Sequence, residues 1–305
     1  MRVFVAGASG AIGRPLVERL VAAGHEVTGT TRSEARAEEI RAAGARPAVC
    51  DALDAGAVRA AVEEAAPEAV INQLTALPER FDPRDKSIYE GTNRLRLDGT
   101  RHLLAAAPSA RFICQSIAFA YEPGRRAEVK EEDAPLALGA PPPFGAGVGA
   151  IAEMEEMVQK AGGLVLRYGW FYGPGTYYGE QGSMTRDVRR RRFPVIGRGD
   201  GLWSFVHVDD AAAATVAAVE RGAPGLYNVV DDDPARMSDW LPEFAAAVGA
   251  KRPLRVPIWV ARLAAGKMVK AADVQPGASN AKAKRELGWE PRWKSWREGF
   301  REAPR

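Results

Sequence analysis

Short apolar runs alternate with longer stretches in which apolar positions recur every three or four residues, and this rhythm holds across the first part of the chain. The runs at 2–6, 26–30, 46–50, 69–73 and 111–115 have the length and apolar density of strands buried on both faces. Between them, the stretches at 12–23, 34–43, 55–65 and 89–107 show the helical period. Strand, helix, strand at this spacing predicts right-handed βαβ units and a parallel sheet. The rhythm breaks between 122 and 147, where Pro123, Pro135 and Pro141-Pro142-Pro143 predict a long irregular segment. It resumes with a helix near 149–160 and a strand over 164–167. Further on, Tyr227-Asn228-Val229-Val230 predicts a strand that returns to the sheet. The expected fold class is therefore α/β. A Rossmann-type doubly wound parallel sheet spans 1–167, with a return segment near 205–230, and a smaller C-terminal substrate-capping lobe spans 168–305.

Charge and cysteine content narrow the classes of function. Lys and Arg total 42 against 39 Asp and Glu, and a net charge of +3 is too small for a nucleic-acid footprint. No nucleic-acid partner is expected. Cys50 and Cys114 lie in apolar runs, far apart and without metal-ligand spacing, so they read as reduced thiols in buried strands. No metal site is expected. The first strand begins at residue 2, and no apolar run approaches the ~18 residues of a membrane span. No membrane partner and a cytoplasmic location are expected.

The strongest chemical signal is Gly7-Ala8-Ser9-Gly10-Ala11-Ile12-Gly13, placed after the first strand and opening the first helix. That context suits a dinucleotide. Gly7 permits the tight turn, Gly10 lets backbone approach a pyrophosphate, and Gly13 lets the helix pack on the strand. The helix N-terminus faces the phosphates. Ser9, Ala11 and Ile12 complete the expected contacts. The second strand ends Thr30-Thr31-Arg32, where an acid would hydrogen-bond a ribose 2′-hydroxyl. Arg32 instead offers a guanidinium to a 2′-phosphate, with Thr31 beside it and Arg14 as a second charge, so NADP(H) is favoured over NAD(H). Asp51-Ala52-Leu53, after the third strand, can hold an adenine amino group or begin a helix whose cap is near Asp54. Leu74, Gln115 and Tyr168, at the ends of later strands, complete the expected cofactor site.

With this glycine spacing the chain resembles the extended short-chain dehydrogenase/reductase superfamily, the NAD-dependent epimerase/dehydratase family. Other segments match in order: Asn93 to Leu104, with Gly99-Thr100; Leu166-Arg167 through Phe171-Tyr172-Gly173-Pro174-Gly175; Phe205-Val206-His207-Val208-Asp209-Asp210; and Leu287-Gly288-Trp289-Glu290-Pro291. The resemblance makes His207 a structural residue at a strand-to-helix corner, where Asp209 or Asp210 caps the next helix. It also implies a homodimer through the fourth and fifth helices. Ile151, Met154 and Val158 would give the latter an apolar stripe, which core packing explains equally well.

The chain departs from the family where proton chemistry belongs. The family carries a Tyr-x-x-x-Lys pair on its fifth helix and a Ser or Thr after its fifth strand; the phenol is the general acid/base and the ammonium favours its ionised form. The aligned segment here is Phe144-Gly145-Ala146-Gly147-Val148, and no tyrosine in the chain is followed four residues later by lysine. Tyr121 has Arg125 there. After the fifth strand come Gln115-Ser116-Ile117-Ala118, with Ser116 at or beside the hydroxyl position and Ile117 in contention for it. Ser116, Tyr121 and Tyr172 are the candidate catalytic residues, with Tyr177 and Tyr178 as further proton donors. The aromatic run Tyr168-Gly169-Trp170-Phe171-Tyr172 is expected to line an interlobe cleft or to form interlobe core.

These observations favour an atypical NADP-dependent oxidoreductase of a small or medium organic substrate. Reduction of a conjugated double bond suits it best, because the enolate can be protonated later. A nucleotide-sugar epimerase/dehydratase and a catalytically silent NADP(H)-binding sensor or scaffold are the alternatives.

Overall fold

The computed structural model describes residues 1–80, 85, 87–265 and 274–302. Seven parallel strands form the central sheet: β1 (Arg2–Ala6), β2 (Glu26–Thr31), β3 (Arg46–Val49), β4 (Ala69–Asn72), β5 (Arg111–Ile117), β6 (Leu164–Tyr168) and β7 (Gly225–Val229). Their order is β7-β6-β5-β4-β1-β2-β3. The winding reverses between β1 and β4, which opens a crevice at the carboxyl ends of these two strands. The strand expected near 227–230 is β7, pairing in parallel with β6 from Gly225–Leu164 to Val229–Tyr168.

Alternation along each strand feeds a core on each face of the sheet. Val3 and Val5 face one core, shared with Leu16, Val17 and Leu20 of α1 (Gly13–Ala22) and with Ala211, Ala214 and Ala218 further along the chain. Phe4 and Ala6 face the other. There they meet α2's successor α3 (Ala55–Ala65) and the helix bearing Met154 and Val158, α2 being Glu34–Ala42 on the first face. The stretch expected as one helix over 89–107 is three pieces: α4 (Glu90–Arg94), a π-helical turn at Leu95–Gly99 and α5 (Thr100–Ala106). The helix expected near 149 begins earlier, as α6 (Phe144–Lys160), so Phe144 to Gly147 are helical and not part of the irregular segment. Pro143 at its start provides a reason: proline is disfavoured inside a helix but compatible with its first turn.

Beyond β6 come α7 (Ser183–Arg189), α8 (Val208–Glu220), α9 (Met237–Ala247), α10 (Ile258–Ala265), α11 (Ala281–Leu287) and α12 (Trp296–Glu302). A third core gathers Tyr172, Tyr178, Trp203, Phe205, Trp240, Phe244, Trp296 and Phe300. Part of the lobe expected over 168–305 lies outside the described residues. No helix among the described residues is long and apolar enough to cross a membrane, and no cluster of potential metal ligands occurs among them.

Three local expectations are corrected. His207 itself caps α8, its Nδ1 accepting from the Asp209 N–H at 3.1 Å. Asp210 instead accepts backbone N–H groups of Arg292 and Trp293 at 2.9 and 3.1 Å. Cys50 lies just past β3 and is half-buried, whereas Cys114 is fully buried in β5. Of the two readings of the stripe Ile151, Met154 and Val158, core packing is the one that fits their burial inside this chain.

Candidate active site

The glycine turn leaves β1 and reaches α1 through contacts that require bare Cα atoms. At Gly7, φ is +87°, and a Cβ would lie 2.7 Å from the Gln73 carbonyl oxygen at the end of β4. At Gly13 a Cβ would lie 2.2 Å from the Gly7 oxygen. Either side chain would break the turn itself. Gly10 differs: it is exposed, and its Cβ position has only the Gly7 oxygen nearby, at 3.3 Å. Ile12 precedes α1 without a side-chain cap, leaving the first helical amides without that internal acceptor. A bare outer Cα and an uncapped helix N-terminus fit the pyrophosphate of a dinucleotide. The segment after β6 passes close by, a Gly175 Cβ lying 3.7 Å from Ala11 Cβ.

The end of β2 is tied to this turn. Thr30 Oγ1 accepts the Gly7 N–H at 3.1 Å, and Thr31 Oγ1 accepts from Ser9 Oγ at 3.4 Å and from the Ser33 N–H at 3.2 Å. Arg32 is exposed and makes no ion pair among the described residues. Arg36, four residues on in α2, is exposed as well and was not singled out by sequence. It carries no motif; its place in the first turn of α2, just past the end of β2, is what brings it to notice. Arg14, the second charge expected there, pairs with Glu39 at 3.0 Å. Both partners are about half exposed, so the pair is weak. Asp51 is exposed and accepts the Leu53 N–H at 3.0 Å, while Asp54 is the cap of α3, accepting from the Gly56 and Ala57 N–H groups. The Ala52 carbonyl meets His102 Nδ1 at 3.0 Å. Gln115 Nε2 donates to the Leu74 carbonyl at 2.9 Å, linking the ends of β5 and β4.

Where the family resemblance places a hydroxyl, a phenol and an ammonium, the chain has an apolar wall. Ile117 and Phe144, both partly buried, pack against buried Val148, Ala120 and Ile151 in one cluster. None of these side chains can carry a proton.

The neighbouring candidates are engaged elsewhere. Ser116 Oγ donates to Glu155 Oε1 at 2.6 Å, and Glu155 also receives Arg167 through Nε at 2.8 Å and Nη2 at 2.5 Å. Arg167 Nη1 donates to Tyr121 at 2.9 Å and to the Glu132 carbonyl at 3.0 Å. Tyr121 in turn donates to Asn228 Oδ1 at 2.6 Å. Burial alone would pull the Arg167 guanidinium down, but the hydrogen bonds and charge of Glu155 outweigh it and hold it above its ordinary value. This network ties β5, β6, α6 and β7 together below the crevice. Sequence reading saw two of its members, Ser116 and Tyr121, as chemistry; a Glu inside the apolar stripe of α6 and an Arg ending a buried strand were the overlooked signals.

The other tyrosines are enclosed. Tyr168 is buried and its hydroxyl lies between Gln73 Nε2 at 3.0 Å and Thr215 Oγ1 at 2.7 Å, so its side chain is core and not cofactor surface. Tyr172 is buried with its hydroxyl facing the bare Cα of Gly299 in α12. Burial pushes the phenols of Tyr172 and Tyr178 far above their ordinary range. Tyr177 is partly buried and donates to the Pro78 carbonyl at 2.5 Å. The aromatic run contributes a ladder: Trp170 stacks on Phe119 at 4.0 Å and on Trp203 at 4.4 Å between ring centroids.

Known proteins share this fold. A "3-diazoavenalumate denitrifying reductase" from Streptomyces sp. is 46% identical over 98% of this chain and 99% of its own length. The UDP-glucose 4-epimerase of Thermotoga maritima, solved with UDP-glucose, superposes with a TM-score of 0.78 at 23% identity, covering 99% of this chain and 97% of that one. Human epimerase family protein SDR39U1, solved with NADPH, gives 0.71 at 20% identity over 100% and 99%. The family model described as "NAD dependent epimerase/dehydratase family" matches residues 3–229. The chain belongs to the NAD-dependent epimerase/dehydratase family, as one of its oxidoreductase or epimerase-like enzymes.

Proposed function

We propose that the protein is an NADP(H)-dependent reductase in which no side chain delivers a proton, and that its substrate is a planar aryl diazonium compound. The observation that carries this reading is the apolar cluster of Ile117, Phe144 and Val148 in place of the family's acid/base group. Such a wall excludes water and supplies no acid, which suits a substrate whose reduction needs none. When bound, the nicotinamide supplies a hydride. An aryl diazonium accepts it in place of nitrogen: a C–H bond replaces the C–N bond, N₂ leaves, and charge balances without a proton. The relative named as a denitrifying reductase supports this class. Phe119, Trp170 and Phe144, all partly buried, are the groups available to stack on a flat ligand.

The test is single-turnover oxidation of NADPH with an aryl diazonium probe, following absorbance and N₂ release. The chemical step should be flat between pH 6 and 9. Tyr121→Phe, Tyr172→Phe, Tyr177→Phe and Tyr178→Phe should each leave it within about threefold, whereas loss of a true general acid lowers such a step by on the order of 10²-fold. A loss of that size in any one of them, with cofactor binding intact, would overturn the proton-free reading.

Cofactor choice is tested separately. Arg32 directly follows Thr31, whose hydroxyl accepts from Ser9, and neither Arg32 nor Arg36 has a carboxylate partner among the described residues. NADPH should bind more tightly than NADH by about tenfold or more, the worth of one charge-assisted contact. Arg32→Asp should erase or reverse that ratio in calorimetric titration. A wild-type protein that prefers NADH would rule the assignment out.

A further inference from the structure

Two arginines, the buried Arg167 and the half-buried Arg96, are provided for very differently. Arg167 has a carboxylate, a phenol and a backbone carbonyl. Arg96, in the π-helical turn between α4 and α5, has one side-chain acceptor among the described residues, Asn93 Oδ1 at 3.2 Å. A guanidinium carries five N–H donors. Arg96 is half-buried, so its remaining donors are open to an arriving anionic group.

The surroundings say where that group would sit. A Cβ on Gly147 would lie 3.7 Å from the Tyr89 ring and 3.9 Å from Arg96 Nη1, so both side chains rest against the bare Cα of α6. Gly147 stands between Phe144 and Val148, the two positions of the apolar wall. Burial pulls the Arg96 guanidinium down to about 10, with the neighbouring Tyr89 the largest influence opposing it; it stays charged at neutral pH. Burial pushes the Tyr89 phenol up to about 12, so it stays protonated and can donate. π-helical turns inside α-helices occur frequently at functional sites, because the extra residue re-aims a side chain.

We infer that Arg96, with Tyr89 beside it, binds an anionic oxygen of the substrate, so that the protein acts on planar organic acids and discriminates against their neutral esters. This rests on the reductase reading for the identity of the ligand as a substrate. The binding site itself is read out without turnover. Phe144, the partly exposed member of the wall, then faces the flat body of the ligand, while the charge at Arg96 fixes its acidic end.

The experiment measures binding of trans-cinnamate and its methyl ester to the full chain saturated with NADP⁺, by calorimetric titration. Wild type should bind the acid at least tenfold more tightly than the ester. Arg96→Gln should weaken the acid by tenfold or more, leaving the ester and NADP⁺ unchanged. Arg96→Lys keeps the charge but loses the planar fork, and should weaken the acid at least threefold; it serves if the Gln variant does not fold. Tyr89→Phe should weaken the acid more than the ester. An acid-to-ester ratio unchanged in Arg96→Gln, or unchanged in Arg96→Lys if that is the folded variant, overturns the inference, as does a wild type without preference for the acid. An intact acid preference with no diazonium reduction would remove the proposed reaction and leave this site standing.

Discussion

Glu155→Leu is expected to destabilise the protein by about 3–5 kcal/mol, the cost of leaving a buried guanidinium without its counter-charge. Both side chains of the Glu155–Arg167 pair are only 4% exposed, so water cannot take over for the missing carboxylate. The loss should spread, because Glu155 also receives Ser116, and Arg167 holds Tyr121 against Asn228 in β7. Arg167→Met should cost a similar amount. The double variant Glu155→Leu/Arg167→Met should recover most of it, since a buried ion pair replaced by apolar groups of similar volume is often neutral. Urea unfolding at neutral pH measures all three. Single variants that lose less than about 1 kcal/mol would show that this pair is not the structural tie described above.

Gly10→Val should lower affinity for NADPH by at least about 100-fold while the melting temperature moves by only a few degrees. An added Cβ would crowd only the Gly7 oxygen, at 3.3 Å, so the exposed turn needs a shift of a few tenths of an ångström. The branched side chain would stand where backbone must approach the pyrophosphate. Gly13→Ala is the contrasting change: its Cβ would lie 2.2 Å from the Gly7 oxygen, so the turn must deform and stability falls along with binding. Calorimetry on a folded Gly10→Val protein that still binds NADPH normally would place the dinucleotide elsewhere.

The strands and their helices were legible because burial on both faces imposes a period that the residues repeat, and Val3 to Ala6 divide between two cores in strict alternation. The glycine turn was legible because close backbone contacts admit no other residue. Less visible was what depends on distant parts of the chain. Nothing local to Tyr172 distinguishes a phenol lining a cleft from one aimed at Gly299, more than a hundred positions later in the sequence. Ser116 and Tyr121 read as reactive because hydroxyls at strand ends often are; only the fold shows Glu155, Arg167 and Asn228 engaging them. Arg96 gave no signal, since an arginine in an amphipathic helix reads as solvated surface, and the π-helical turn that re-aims it has no sequence signature here.

The pairing of β6 with β7 bears on how the chain is made. A ribosome delivers residues in order, at ~5–20 per second, so β6 is synthesised well before its outer neighbour. During that interval β6 is the rim of an unfinished sheet, with one row of its peptide groups unpaired and a fully buried-type surface, Leu164 to Tyr168, without its cover. Such an edge is a template for strands of other nascent chains. The nucleotide-binding half thus cannot be a self-sufficient product of early synthesis: it is sealed only once the chain has passed into the second lobe and come back, which makes that lobe's emergence a condition for escaping aggregation as well as for catalysis.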